Sequence, residues 1–195
     1  MPTKDALLKQ LKESKESWLS GEMLAAGLGI SRAAVWKQIR ALQGEGYLIE
    51  SSTKKGYLLR RSSGLILPAE IKDGLKTAAF GQGRIDYFSQ TDSTNVRARA
   101  IAAEGAPEGT VVVAEEQLQG KGRRGRAWYS PAGEGIYVSV ILRPRVQPYE
   151  APQLVLMTAV AAAETLLAHT DVPAAIKWPN DILVRGKKIA GILTE

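Results

Sequence analysis

The chain has 195 residues, of which 45% are hydrophobic and 24% charged, as is typical of a folded protein rather than a disordered one. It contains no cysteine and a single histidine, which excludes disulfides, thiolate metal sites and multi-histidine metal clusters. The net charge is +6, and residues 1–62 hold 11 Lys and Arg against 6 Asp and Glu. This distribution predicts an N-terminal module for a polyanion joined to a nearly neutral body. We expect a cytoplasmic protein, because cysteine is absent and no apolar run approaches the roughly 18 residues of a membrane span.

The first third of the chain has the element order of a helix-turn-helix. An apolar repeat predicts a first helix over residues 4–14. Ser20 is a suitable N-cap for a second, short helix that stops at Gly29, and Ser31 is a suitable N-cap for a third. In this arrangement the last helix enters the major groove of DNA.

The third predicted helix has two different faces. Val35, Ile39 and Leu42 form one apolar stripe, which we expect to be buried. The opposite face is basic, so its charges can position the helix on phosphates while small residues near its start reach base edges. The residues predicted to bind DNA, including two lysines from the hairpin that follows, are Ser31, Arg32, Ala33, Trp36, Lys37, Arg40, Lys54 and Lys55.

Two short strand patterns follow the third helix, at residues 47–50 and 56–60, and they flank a basic tip. A helix-turn-helix followed by such a hairpin predicts a winged helix-turn-helix domain over residues 1–62. Residues 63–68 have the composition of a linker. The alternative for the first domain is a three-helix protein-interaction module whose charges are only solvated.

The remaining body, residues 69–195, alternates helix and strand patterns. We expect the helix near its end to be buried. The last run is cut off at Glu195, so we expect the chain to be part of a longer protein. The predicted helices are 69–79, 96–104 and 152–168, and the predicted strands include 84–88, 110–114, 136–142 and 189–195.

Residues 120–126, Gly-Lys-Gly-Arg-Arg-Gly-Arg, place four cations among three glycines between two predicted strands. Such a segment is either a solvated loop or a site that folds around an anion. The glycines match the dinucleotide fingerprint, but a strand pattern follows them where that fingerprint requires a helix. No Gly-Lys-Ser/Thr closes a P-loop either. A Rossmann site and a P-loop are therefore both excluded.

Two further segments could carry a site. Each of residues 92–94 could cap the helix that follows, and the same helix start could present hydroxyl and N–H groups to a ligand. Lys177 ends an apolar strand before a Trp-Pro-Asn-Asp turn, and such a lysine is costly to desolvate unless it meets an anion. We therefore favour Lys177 over Lys187 and Lys188, which are expected in a hairpin turn.

Four ordered motifs resemble those of the biotin protein ligase family. They are Asp-Ser-Thr-Asn at 92–95, the segment 117–128, Lys-Trp-Pro-Asn-Asp at 177–181 and Lys-Ile-Ala-Gly-Ile-Leu at 188–193. Together with the winged helix, they look like the bifunctional ligase-repressors. The resemblance implies an α+β fold, in which the winged helix precedes a class II synthetase-like mixed sheet with flanking helices. That catalytic domain would cover residues 69–195 and be incomplete at its C-terminus.

The resemblance also implies an activity and partners. A ligase of this kind uses ATP and Mg²⁺ to convert biotin into biotinyl-5'-adenylate with release of pyrophosphate. It then transfers biotin to a lysine of a biotin carboxyl carrier protein. The bifunctional type also represses biotin genes, because the adenylate promotes a homodimer that binds operator DNA.

Matching the motifs residue by residue implies the following roles, with no residue assigned to a metal. Family members often have arginine where this chain has Lys121, and a lysine loses bidentate phosphate recognition. The catalytic residues would be Arg123 and Lys177; the biotin-binding residues Ser93, Thr94, Asn95, Gln117, Lys121, Gly122, Arg123 and Lys177; and the adenylate- or ATP-binding residues Arg123, Arg126, Trp128 and Asn180.

A second hypothesis belongs to a different functional class. The protein would be a transcription factor whose C-terminal body, catalytically incomplete, only senses a small molecule. Biotin binding without turnover would favour this hypothesis over the ligase.

Overall fold

The computed structural model describes residues 3–195, so the first two residues of the predicted domain 1–62 lie outside it. Three helices and a hairpin come first, and an α/β body with two three-stranded sheets follows. The helices are α1 (Thr3–Glu13), α2 (Gly21–Leu28), α3 (Arg32–Gly44), α4 (Pro68–Lys72), α5 (Thr94–Ala103) and α6 (Pro152–His169). The strands are β1 (Leu48–Ser52), β2 (Gly56–Arg61), β3 (Ile85–Phe88), β4 (Val111–Ala114), β5 (Tyr137–Val140), β6 (Ala174–Lys177), β7 (Asp181–Val184) and β8 (Lys187–Gly191).

The caps predicted for the second and third helices are confirmed. The Ser20 hydroxyl accepts a hydrogen bond from Met23 N at 3.0 Å, and Gly29 ends α2 with a φ of 65°. The Ser31 hydroxyl accepts a hydrogen bond from Ala34 N at 3.1 Å, which satisfies one of the free N–H groups at the start of α3. The boundaries of these helices thus follow from local capping chemistry.

The helices of the N-terminal unit share one apolar core. The stripe predicted on α3 is buried there, because Val35, Ile39 and Leu42 each expose 1% or less of their surface. The hairpin closes the core from one side through its inward residues. The largest fully buried side chains of this unit are Leu7, Leu11, Leu24, Val35, Ile39, Leu42 and Leu58.

The hairpin of β1 and β2 is held against the segment before α2. Leu19 and Tyr57 exchange two backbone hydrogen bonds, of 2.9 and 2.8 Å. A Cβ on Gly56 would lie 2.0 Å from the carbonyl oxygen of Leu19, and the φ of this glycine is 99°. Only glycine fits at such a close backbone approach, so this residue fixes where the wing leaves the domain.

The body contains the predicted mixed sheet. Strand β3 pairs with β4 in parallel, β4 pairs with β5 antiparallel, and α5 packs against β4 and β5. All four residues of β4 are buried, as expected for the central strand. A separate antiparallel sheet runs β6-β7-β8 and packs against α6. Within residues 3–195, no helix is both long and apolar enough to cross a membrane.

Three expectations about the body are wrong. The helix predicted over 69–79 ends at Lys72, because Gly74 adopts a left-handed φ of 73°. The helix at 152–168 is present but largely exposed. Lys187 and Lys188 begin β8 instead of forming the turn. The side expected to be buried in α6 comprises Leu154, Val155, Thr158, Ala162 and Leu166, whereas Ala159 and Ala163, whose small side chains permit close packing, are its buried residues.

Glu70 of α4 joins the body to the N-terminal unit. Tyr47 OH donates a hydrogen bond to Glu70 Oε1 at 2.7 Å, and Lys12 Nζ lies 2.9 Å from the same oxygen. Burial and the bond to Glu70 both raise the pKa of Tyr47. Burial of Lys12 disfavours its charge, but hydrogen bonds to Asp73 and Glu70 outweigh this and raise its pKa. The phenol is therefore neutral and the amine charged at this contact.

The predicted linker, residues 63–68, contacts both parts of the chain. Leu67 is buried in the N-terminal core, with Tyr87 of β3 packed against the same cluster. Ile66 N donates a hydrogen bond of 2.7 Å to Glu115 Oε1, and Glu115 directly follows β4. The segment is thus packed at the junction.

Replacing Tyr47 with Phe should lower the free energy of unfolding by about 1 kcal/mol, because a buried hydrogen bond is lost while the ring stays. Thermal unfolding measures this as a fall of a few degrees, ~2–4 °C for a chain of this size. Tyr149→Phe is the control, since Tyr149 is 80% exposed. Equal melting temperatures for wild type and Tyr47→Phe would show that the Glu70 contact does not stabilise the junction.

Candidate functional site

The side chain of Gln117 connects three segments of the body. Thr94, at the start of α5, donates from its backbone N and from Oγ1 to Gln117 Oε1, at 2.8 and 3.0 Å. Gln117 Nε2 donates to Ser130 Oγ at 3.1 Å. Ser130 Oγ in turn donates to the carbonyl oxygen of Trp128 at 3.0 Å. The amide thus fixes the helix start and the glycine-rich segment relative to each other.

Ser139 of β5 extends this network from the sheet. Its Oγ lies 2.9 Å from Thr94 Oγ1 and also contacts Asn95 Oδ1. Ser93, Thr94 and Ser139 are all buried. The predicted residues Thr94, Asn95 and Gln117 therefore meet, whereas sequence reasoning missed Ser130 and Ser139. The sequence carries no signal for Ser139, because an apolar alternation would place Val138 and Val140 inward, whereas Tyr137 and Ser139 are the buried residues of β5.

The start of α5 is not capped by the serine before it. Within the described helix, the Ser93 side chain makes no capping hydrogen bond. Ser93 N instead donates to Asp92 Oδ1 at 2.7 Å, and Arg97 Nε lies 3.1 Å from that oxygen. The bond from Ser93 N, with smaller effects of Thr91 and Arg97, lowers the pKa of Asp92. Asp92 therefore shapes the turn as an anion, and Ser93 is left for another partner.

Residues 120–128 form a short hairpin. Gly122 N donates to the carbonyl oxygen of Arg126 at 2.7 Å, and Trp128 N donates to that of Gly120 at 2.8 Å. The tip is a 3-10 turn, Arg123–Gly125, in which Arg124 has a left-handed φ of 58°. All four cations, Lys121, Arg123, Arg124 and Arg126, are exposed. The segment is thus a built hairpin with exposed charge, anchored at its base by Gln117.

The hairpin meets the second sheet through two contacts. Arg123 Nη1 donates to Asn180 Oδ1 at 2.8 Å, and Lys188 Nζ lies 4.8 Å from the centre of the Trp128 ring. Lys188 is also 2.6 Å from Asp181 Oδ1. A cation at this distance from an indole is attracted to its face. Residues from three separated motifs, 117–128, 177–181 and 188–193, therefore converge.

Lys177 does not occupy the environment from which it was predicted. The strand β6 is largely exposed, with Ile176 41% exposed and Lys177 itself on the surface. The argument from desolvation is therefore wrong for this residue, because water solvates its charge. Lys188, which was placed in a turn, is the lysine that contacts Trp128. The role proposed for Lys177 rests on motif matching alone.

The face predicted to bind DNA is exposed and continuous. Arg32, Trp36 and Arg40 of α3 and Lys54 of the wing line one groove of about 880 Å³. Trp36 is 58% exposed, and the guanidinium of Arg40 lies 6.0 Å from its ring. Ser31, Ala33 and Lys37 are also exposed. Lys55 is exposed as well, and its Nζ lies 5.6 Å from the ring of Trp18.

Comparison with known proteins matches each of the two parts of the chain to a family model. Residues 87–195 match the model of the Biotin/lipoate A/B protein ligase family, and residues 3–58 match that of a helix-turn-helix domain. The chain is 44% identical to the bifunctional ligase/repressor BirA of Bacillus spizizenii over 97% of its own length and 58% of that protein. Its identity to BirA of Escherichia coli is 35%, over 90% of this chain and 53% of that protein.

Among solved structures, a biotin protein ligase from Aquifex aeolicus in complex with biotin and ATP matches with a TM-score of 0.48 and 34% identity. The match covers 57% of this chain and 46% of that one. The chain thus spans a little over half the length of the two BirA proteins. The predicted α+β class with an N-terminal helix-turn-helix is confirmed, while the boundaries 1–62, 63–68 and 69–195 stay a prediction.

Gly120→Ala should destabilise the protein by about 1–3 kcal/mol, because the added methyl group would overpack the base of the hairpin. A Cβ there would lie 2.4 Å from the carbonyl oxygen of Trp128 and 2.7 Å from Ser130 Oγ. Gly83→Ala is the matched control, since a Cβ at Gly83 meets nothing within 4 Å. Chemical denaturation compares the two variants. If both unfold like the wild type, the base of the hairpin is not packed as described.

Proposed function

The chain belongs to the Biotin/lipoate A/B protein ligase family, and from this premise we propose that it acts as an ATP-dependent biotin protein ligase that is also a repressor. The protein would form biotinyl-5'-adenylate and transfer biotin to a lysine of a carboxyl carrier protein. The observation that carries this proposal is the convergence of the Gln117 network with the cationic hairpin 120–128 and with Lys188.

The polar network suits the neutral head group of biotin. Ser93, Thr94, Asn95 and Gln117 offer hydroxyl and amide groups at the start of a helix, and a ureido ring both donates and accepts hydrogen bonds. Thr94 and Gln117 hold each other in place, and Asn95 contacts Ser139. Biotin would therefore bind to a preorganised pocket, with little ordering of side chains on binding.

The hairpin suits the adenylation step. A biotin carboxylate oxygen attacks the α-phosphorus of ATP, the bond to the β-phosphate breaks, and pyrophosphate leaves. This brings two anions together, so the site must supply positive charge and fixed donors and needs no nucleophilic side chain. Arg123, Arg126 and Lys121, with Gly122 permitting close backbone approach, would serve the phosphate and carboxylate. Lys188 beside Trp128 joins Lys177 as a candidate for the same anions.

The same site would carry out the second step, the transfer of biotin to the carrier protein, and would hold the nucleotide. The amine of the carrier lysine would attack the acyl carbon, and AMP would leave. Trp128 and Asn180, which the structure joins to Lys188 and Arg123, would hold the nucleotide. By covering the adenylate, the glycine-rich hairpin would exclude water from a reactive anhydride.

Magnesium would enter with ATP. Within residues 3–195, no three His, Cys, Asp or Glu side chains converge to hold a metal ion. Mg²⁺ in nucleotide sites is commonly held by substrate phosphates and water, with one or two carboxylates at most. Mg²⁺ would therefore be held mainly by the phosphates of ATP and by water.

The repressor role would use the α3 and wing surface. Adenylate binding would favour a homodimer, and the dimer would bind operator DNA in the cytoplasm. The exposed groove lined by Arg32, Trp36, Arg40 and Lys54 supports DNA as the partner over a role as a solvated face. The basic side chains of this groove would contact the phosphates of a duplex.

Arg123→Gly should release free adenylate into solution, because the cation and its hydrogen bond to Asn180 are lost. Loss of one charge-assisted bond predicts a roughly 10- to 100-fold faster escape of the adenylate. Escape is measured as free biotinyl-adenylate per pyrophosphate formed. Arg124→Gly is the matched control, since Arg124 already has a φ that glycine adopts readily. Equal escape from both variants would contradict a role for Arg123 in retention.

The substrate itself needs a separate measurement. With ATP and Mg²⁺, the protein in its full-length form should release pyrophosphate on addition of biotin and not of lipoate. Pyrophosphate release with lipoate or an amino acid, and not with biotin, would show that the protein activates a different acid. Tight biotin binding without pyrophosphate release would favour the sensor hypothesis.

For DNA, changing Arg32, Lys37 and Arg40 together to Ala should abolish binding to the duplex at physiological salt. Removing three phosphate contacts should also reduce the slope of log K against log salt by about 2–3. Electrophoretic mobility and fluorescence anisotropy at several salt concentrations measure both.

The control is a variant that loses three positive charges outside the α3 face. It should bind the duplex like the wild type if the α3 face is the interface. Unchanged binding of the α3 triple variant would locate the DNA surface in another part of the protein. The three exposed lysines changed to Ala in the control are Lys9, Lys72 and Lys76.

A further inference from the structure

We infer that Ser139 is a positioning residue for the biotin pocket, acting through Thr94 and Asn95. This inference rests on the proposed function, because it concerns the same pocket. Ser139 lies on β5, an edge strand of the mixed sheet, where it is opposite Val112 of the central strand β4. It is 8% exposed and Val112 is fully buried, so the position belongs to the core. A hydroxyl at a core position is unfavourable unless it is hydrogen-bonded.

Counting donors and acceptors shows what this hydroxyl does. Gln117 Oε1 can only accept, so the Thr94 hydroxyl donates its single proton to Gln117 at 3.0 Å. Thr94 Oγ1 can then only accept from Ser139, which lies 2.9 Å away. Ser139 is therefore the donor that fixes the direction of the Thr94 hydroxyl.

Asn95 completes the same arrangement. A serine has one proton and cannot donate fully to both Thr94 and Asn95. The oxygen and nitrogen of an asparagine amide are assigned from the hydrogen-bond network. Turning the Asn95 amide places its NH₂ against Ser139 Oγ, so Asn95 donates to Ser139 and Ser139 donates to Thr94. Each of these contacts then has one donor and one acceptor.

The result is a chain of hydrogen bonds that runs in one direction. It passes from Asn95 through Ser139 and Thr94 to Gln117, whose Nε2 donates to Ser130, and Ser130 donates to the carbonyl oxygen of Trp128. The hydrogen bonds of such a chain polarise and so strengthen one another. Without the Ser139 hydroxyl, Thr94 and Asn95 lose a buried partner. Their polar groups then no longer have a fixed orientation toward a ligand.

The test is the affinity for biotin of Ser139→Ala, measured by isothermal titration calorimetry on the whole protein. Biotin Kd should rise about tenfold, as expected when a buried hydrogen-bond partner is removed. In the pyrophosphate assay, KM for biotin should rise by a similar factor while kcat and KM for ATP stay within about twofold. A structural defect would lower kcat together with affinity for both substrates. Val138→Ala, on the opposite face of the same strand, is the matched control.

A double-mutant cycle with Thr94→Val tests the path of the effect. If Ser139 acts through Thr94, the double variant should bind biotin no more than about threefold worse than Thr94→Val alone, because the two residues form one unit. If the losses of biotin affinity in the two single variants add fully in the double variant, the inference is overturned. Ser139→Cys has a side chain of similar shape but is a weak hydrogen-bond donor, so it should also raise the Kd for biotin. It serves as the test variant if Ser139→Ala does not fold.

The two proposals fail in different ways. If the wild type binds biotin and Ser139→Ala binds it equally well, the positioning role is wrong and the proposed function stands. If the wild type does not bind biotin at all, the proposed function is wrong and the inference is overturned with it.

Discussion

The amide of Gln117 is the interaction on which the site depends. Its oxygen accepts two hydrogen bonds from Thr94, and its nitrogen donates to Ser130. Both ends of one planar group are thereby committed, so the start of α5 and the base of the hairpin 120–128 take up one relative position. A preorganised polar pocket needs this kind of second-layer support, because a loosely held group loses both affinity and selectivity.

The concentration of positive charge on the hairpin suits it to an anionic ligand. Four cations within seven residues repel one another, and Arg123 meets the neutral amide of Asn180. The base of the hairpin is fixed by Gln117 and Gly120, while its charges remain exposed. Binding an anion such as an acyl-phosphate would relieve this repulsion.

The sequence predicted best what local chemistry controls. Ser20, Gly29 and Ser31 fixed the bounds of α2 and α3, because capping depends on neighbouring residues. The apolar stripe of α3 also followed from its spacing. The residues of the pocket were named only through motif resemblance, since spacing alone could not distinguish a cap at residues 92–94 from a ligand site.

What the sequence could not predict depends on contacts across the chain. Ser139 is one serine in an apolar strand, and its partners lie more than forty residues away. The sequence predicts Lys188 in a turn. In the structure β8 pairs with β7, and this pairing brings Lys188 to the ring of Trp128. The prediction that Lys177 meets an anion depends on a buried apolar strand, but β6 is largely exposed. The sequence correctly predicts that α6 is a helix but not which of its sides is buried, because Ala159 and Ala163 pack inward.

The most direct test is a crystal structure of the protein with biotin and ATP bound. The head group of biotin should lie against Thr94 and Gln117, and its carboxylate should point toward Arg123 and Lys188. The hairpin 120–128 should cover the acyl-phosphate, with Ser139 still bonded to Thr94. Biotin bound away from Thr94 and Gln117, or an adenylate that does not contact the hairpin, would contradict this assignment of the site.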